Sequence, residues 1–184
     1  MEETESEKRK TELLEAADRL FRRRGVMETT INAIAREVHV AKGLFYYYFS
    51  SKDEVISAVS RKYCDRFAEE LQNRNIQNEG KKDVLEFLLQ AGGSFRRLWT
   101  SLQGENESID LSILADRTMD EAREEAVLML KDVLDTGRMD GSLRIRNTEL
   151  WAKWMVGGIA ELARDLSITM DEINYMINDM IDRM

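Results

Sequence analysis

Apolar residues recur at three- and four-residue intervals along most of this chain, the spacing of one face of an α-helix. Leu13, Leu14, Ala17, Leu20 and Phe21 mark a first helix over about 6–24, which Gly25 ends. Thr29 and Thr30 offer an N-cap for a short helix over 31–38, whose Ile31, Ile34, Ala35 and Val38 share one face. The tripeptide His39-Val40-Ala41 is a turn, and a third helix runs over about 42–49 until Ser50-Ser51 breaks it. Ser51, with Glu54 three residues on, is the start of a capping box. The helix it opens is long and carries Val55, Val59, Tyr63, Phe67 and Leu71 toward Asn73. Beyond a polar stretch at 73–80 the same spacing predicts helices over about 81–103, 108–116, 118–137, 148–166 and 169–183.

Composition sharpens this to an all-α fold. The 184 residues include no proline, so the commonest helix breaker is missing. With 43% hydrophobic and 34% charged residues the chain suits a globular protein with a substantial core. Neither a signal peptide nor an apolar run long enough to cross a bilayer is present, so a cytoplasmic protein without a membrane partner is expected. The single cysteine, Cys64, gives no internal disulfide and reads as a buried thiol.

Two short helices joined by a tight turn, behind a longer supporting helix, are the parts of a helix-turn-helix. Its second helix reads KGLFYYYF over 42–49. Phe45 and Phe49 lie one turn apart and can anchor it inward, whereas three consecutive tyrosines cannot all point the same way. The net charge of −8 does not oppose nucleic-acid binding, because it is unevenly spread. Residues 1–63 hold 12 basic against 11 acidic side chains, and 64–184 hold 15 against 24. What matters to a phosphate is the local patch. Arg22, Arg23 and Arg24 fall in the last turn of the first helix, where cations favour the macrodipole whether or not they meet phosphate.

Residues 14–59, about a quarter of the chain, resemble the DNA-binding domain of the TetR family. The resemblance rests on four segments in matching order and spacing: AADRLFRRRG, TTINAIA, AKGLFYYYF and SKDEV. It implies an N-terminal three-helix bundle with a helix-turn-helix over 1–55. A larger helical effector-binding and dimerisation domain over 56–184 is expected to follow. Thr30, Tyr47 and Lys52 match positions that meet backbone phosphates. Asn32, Lys42, Leu44 and Tyr46 match positions that face base edges, while Gly43 lets the helix approach the groove. Tyr48 also falls in the expected DNA-binding set. The expected partners are a palindromic double-stranded operator, a second copy of the chain and a small lipophilic effector. Four residues depart from the family pattern. His39 replaces a turn glycine at a position that tends to need positive φ, and Ala41 replaces a capping serine. Leu44 stands for a frequent threonine and Tyr48 for a frequent histidine, so the base preference is this chain's own.

The remaining apolar residues suggest two further sites. Phe95, Trp99, Leu102, Met119 and Trp154 are candidates for an apolar effector pocket. The last two helices carry apolar stripes too extensive to leave in water, which makes Trp151, Met155, Ile159, Ile173, Ile177 and Met180 candidates for a dimer interface. No enzyme is expected. One histidine cannot supply two Glu-x-x-His pairs for a di-iron bundle, no metal or cofactor set is apparent, and no nucleophile–base pair stands out. The competing reading is a helical interaction module that has lost DNA binding. The Lys42, Tyr46, Tyr47 and Lys52 set argues against it.

Overall fold

A computed structural model describes residues 4–72, 79–104 and 108–183. Eight α-helices account for most of them: α1 (Glu5–Arg24), α2 (Ile31–Glu37), α3 (Lys42–Tyr48), α4 (Lys52–Gln72), α5 (Lys81–Ser101), α6 (Ser112–Met139), α7 (Thr148–Arg164) and α8 (Met170–Asp182). Their ends follow local chemistry. Thr4 and Glu7 close a complete capping box on α1, and Thr169 and Glu172 close another on α8. Thr30 caps α2 by accepting from Ala33 N at 3.1 Å. At α4, Ser51 Oγ accepts from Glu54 N at 3.1 Å, while the Glu54 carboxylate reaches one residue further back. There it accepts from Ser50 N at 2.6 Å and Ser50 Oγ at 2.7 Å. The expected end of α4 at Asn73 lies outside the described residues.

The expected break near residue 117 does not occur: 112–139 form one helix of 28 residues. Thr118, at the expected start of a separate helix, is fully buried and turns its hydroxyl back onto Leu114 O at 2.7 Å. Back-bonding of this kind lets a threonine sit inside a helix. With neither proline nor glycine between 112 and 136, nothing else stops it.

The chain divides into two compact units, and the division differs from the expected boundary at residue 55. One unit comprises residues up to Tyr63 together with Leu102–Thr118; the other comprises Cys64–Ser101 and Met119 onward. In the first, α1 packs on α2 and α2 on α3. Leu13, Leu20, Phe21, Ile34, Phe45 and Phe49 are almost completely buried. The segment before α6 is tied in by Val26 N, which donates to Asp110 O at 2.9 Å. Gly25 makes that approach possible. Its φ is +86°, and a Cβ there would lie 3.1 Å from Asp110 O.

In the second unit α5 is the centre, packed on both α7 and α8. Val84, Phe87, Leu88, Ala91 and Phe95 of α5 are fully or almost fully buried. Arg96 of α5 secures the end of α7 by donating to the carbonyls of Leu162 (3.3 Å), Asp165 (3.1 Å) and Ile168 (2.7 Å). A cation placed there also complements the helix dipole. Among the described residues no helix is long and apolar enough to cross a membrane.

Candidate nucleic-acid interface

The turn between α2 and α3 is tight because the backbone closes it twice: His39 N donates to Arg36 O at 3.1 Å and Val40 N to Ala35 O at 2.9 Å. His39 pivots the chain at φ +57°, the only positive φ among the described non-glycine residues. The expectation of a left-handed residue here therefore holds. Ala41 occupies the N-cap of α3 in extended conformation and makes no side-chain capping bond.

Residues of α3 separate cleanly by face. Phe45 and Phe49 are buried, their ring centroids 5.8 Å apart, and the Lys10 ammonium from α1 lies 5.6 Å from the Phe49 ring. Tyr47 is 75% exposed, Tyr46 48% and Leu44 36%. Lys42 and Gly43 also face outward, and nothing lies within 4 Å of where a Gly43 Cβ would sit. Lys42 Nζ lies 5.7 Å from the Tyr46 ring, so cation and aromatic share one patch. Tyr48 does not join it. This side chain is half-buried, stacks edge-on against Tyr47 and accepts a 3.4 Å hydrogen bond from Ser6 Oγ at the start of α1.

Thr30 and Asn32 are exposed at the start of α2. The Thr30 oxygen is used in capping, but its hydroxyl proton can still be given to an acceptor. Lys52 is half-buried, and its Nζ donates to Met27 O at 3.0 Å. Burial holds this ammonium below the usual lysine range, and the nearby Glu28 carboxylate offsets only part of that. Two of its three N–H groups remain beyond the Met27 bond.

Sequence reasoning missed the partners that brace this surface. Arg22, read as a dipole or phosphate residue, donates through Nε to Tyr63 Oη at 3.0 Å and pairs with Asp18 at 3.4 Å. Arg23 pairs with Glu37 at 3.4 Å. Arg117 reaches from α6 to Asp53 and Ser57 in α4, both at 2.6 Å. No local pattern announces a pair 64 residues apart.

Residues 13–59, which run from α1 into α4 and include both short helices, match the family profile of bacterial regulatory proteins, tetR family. The chain belongs to the TetR family of bacterial regulatory proteins. The HTH-type transcriptional regulator HbdR of Aromatoleum sp. (strain CIB) is 30% identical over 126 residues, 68% of this chain and 51% of HbdR. The HTH-type transcriptional repressor KstR2 of Rhodococcus jostii (strain RHA1) is 37% identical over 57 residues, 31% of this chain and 28% of KstR2. The matched stretch thus spans about half or less of these curated relatives. The fold extends further. A TetR/AcrR-family regulator from Thermobifida fusca superposes with a TM-score of 0.64 at 20% identity, covering 95% of this chain and 96% of that one. RolR in complex with resorcinol superposes with a TM-score of 0.62 at 18% identity, covering 97% and 87%.

The other two candidate sets of this TetR-family chain mix buried with exposed residues. Phe95 is fully buried with its ring centroid 4.7 Å from that of Phe67, and Met119 is buried. Trp99 is half-buried beneath the Arg164 guanidinium at 4.7 Å. Leu102 belongs to the other compact unit. Trp154 is 61% exposed and packs edge-on against Trp151, so it is not grouped with Phe95. Of the dimer candidates, Met155, Ile159, Ile173 and Ile177 are buried within the chain itself, with Ile159 and Ile173 lying against Gly92 of α5. The stripe that periodicity picks out mainly covers this chain's own core. Outward from it run Leu150, Trp154, Leu166, Tyr175 and Met176, all more than half exposed. Between α7 and α8 lies a groove of about 320 Å³, with Met155, Ile159, Ile173 and Ile177 as its deep wall and Trp154, Tyr175, Met176 and Met180 around them. A separate cleft of about 700 Å³ between α6 and α7 is bordered by Arg123, Glu124, Lys131, Glu149 and Lys153, with Val127, Leu128 and Gly157 beside them.

Proposed function

We propose that this chain is an effector-responsive repressor that reads a palindromic operator as a homodimer, laying α3 in the major groove. The observation that carries this reading is the division of α3 itself. Phe45 and Phe49 fasten the helix while Lys42, Leu44, Tyr46 and Tyr47 stand exposed with a bare Gly43 between them. In this arrangement Lys42 donates to guanine O6 and N7, and Leu44 packs on a thymine methyl. Thr30, Tyr47 and Lys52 hold phosphates, and Asn32 and Tyr46 face base edges.

Two copies meet through the outer faces of α7 and α8, where a run of exposed large apolar side chains would otherwise stay in water. Trp154 thus belongs to the dimer face rather than to the effector site. A lipophilic effector is taken up in the second unit near Phe95, Trp99 and Met119. The resorcinol complex of RolR supports a small aromatic-sized ligand as one class to test. Such a ligand controls operator binding only through different affinities for two arrangements of the protein.

The test is selection of duplexes from a randomised pool, followed by binding of the enriched sequence. Tyr47→Ala weakens binding to every duplex, and Lys42→Ala relaxes the preference at one position per half-site. A purified, folded chain that enriches no sequence would leave the interaction-module reading in its place.

A further inference from the structure

The geometry points to Arg117 of α6 as a positioning residue for DNA: it neutralises Asp53 at the start of α4 and so keeps a carboxylate from repelling the phosphates that flank Lys52. Asp53 is 71% exposed and immediately follows Lys52, the residue matched to a phosphate-binding position. Left alone, its charge would stand against the strand that Lys52 approaches. Arg117 Nη2 pairs with Asp53 Oδ1 at 2.6 Å, while Nη1 donates to Ser57 Oγ at 2.6 Å and to Asp53 O at 3.3 Å. The guanidinium therefore grips one turn of α4 through both nitrogens, and its own side chain is only 29% exposed. That fork geometry is one that arginine makes and lysine cannot. The same pairing holds the Asp53 carboxyl below its ordinary range, so it is ionised wherever the protein would meet DNA.

The companion contacts show that the segment is built into the DNA-reading unit. Thr118 Oγ1 lies 3.1 Å from Ser60 Oγ, and Asp110 O receives Val26 N. Residues far along the chain thus set the surroundings of a helix start that sequence alone would assign to residues 51–54. The inference rests on DNA binding by this unit, and its test separates the two.

The probe is a duplex enriched by the wild-type chain from a random pool, with affinity measured by fluorescence anisotropy over a range of salt. Failure of the wild type to enrich any duplex would overturn the proposed function, not this assignment alone. Arg117→Ala should weaken binding on the order of fivefold at low salt, and the deficit should shrink as salt rises, because an uncovered charge is screened. Asp53→Asn should bind as well as wild type or better. The Asp53→Asn, Arg117→Ala double variant should return to within about twofold of wild type. Should Arg117→Ala not fold, Arg117→Gln and Arg117→Lys carry the same comparison, the lysine retaining most of the affinity. A double variant as weak as Arg117→Ala would assign Arg117 to packing or to a direct phosphate contact, a deficit that salt does not change would assign it to packing, and either result would overturn the proposal. Unchanged affinity in Arg117→Ala would overturn it as well.

Discussion

Tyr63 Oη donates a 2.9 Å hydrogen bond to Asp18 Oδ1, and so joins α4 to α1 across 45 residues of sequence. The Arg22 guanidinium donates to the same hydroxyl and lies 5.4 Å from the ring. Burial pushes the Tyr63 hydroxyl up, so it remains a protonated donor at neutral pH. Tyr63→Phe keeps the ring and removes the bond, leaving Asp18 and Arg22 to each other. It should cost about 1–2 kcal/mol, read as a lower urea midpoint with an unchanged slope.

His39 holds a conformation that glycine adopts freely, at φ +57°. His39→Gly should relieve about 1 kcal/mol of backbone strain, partly cancelled by the greater freedom of glycine in the unfolded chain. The expected net is a stabilisation of roughly 0.5 kcal/mol, and His39→Val should destabilise by about 1 kcal/mol or more. Thermal melts of the three proteins check the order. A valine variant as stable as wild type would show the turn to be unstrained.

Outward and inward residues of the last two helices should behave in opposite ways. Trp154→Glu with Met176→Glu changes only exposed positions, so it should yield a folded monomer in sedimentation. Ile177 is 2% exposed, and Ile177→Glu should instead lose about 3 kcal/mol or more of protomer stability. A folded dimer from the first variant would move the interface elsewhere.

Acid should loosen the helix starts. The Ser50 hydroxyl and backbone N–H hold the Glu54 carboxyl below its ordinary 4.5, and Thr4 and Thr169 do the same for Glu7 and Glu172. A folded pKa below the unfolded one gives stability that is full above 4.5 and is lost as pH falls through the folded value. Melting temperature should therefore drop on going from pH 5 to pH 3, and less steeply in Glu54→Gln. Equal slopes for the two proteins would remove Glu54 from this account.

The elements of the DNA-reading unit are legible in the sequence because their signals are local. Gly25, Thr30, Ser51 and Glu54 act within four residues of themselves, and the alternation of Phe45 and Phe49 with tyrosines already separates inside from outside. Tyr48 is the exception, drawn toward Ser6 by a contact that spacing does not encode. The expected break near residue 117 fails for a related reason: the Thr118 hydroxyl bonds backward inside the helix, a contact that spacing does not encode either. In α7 and α8, periodicity reveals that Ile173 and Ile177 are apolar-faced but not what they face, and α5 takes them. Arg117 is beyond reach altogether, since its meaning lies in Asp53 and Ser57.

The chain crosses between the compact units three times, at Tyr63/Cys64 inside α4, at Ser101/Leu102 after the last residue of α5, and at Thr118/Met119 inside α6. The two that lie inside uninterrupted helices carry a phase as well as a length. Each residue of an α-helix advances about 100°, so inserting one residue at either joint would turn every side chain beyond it by that angle. Seven residues would restore the facing to within about 20°. Recombining the first unit with the remainder of a relative therefore takes three joins, two of them inside helices where angular registry counts. A graft out of register at either helical join would turn the residues beyond it onto the wrong face of that helix.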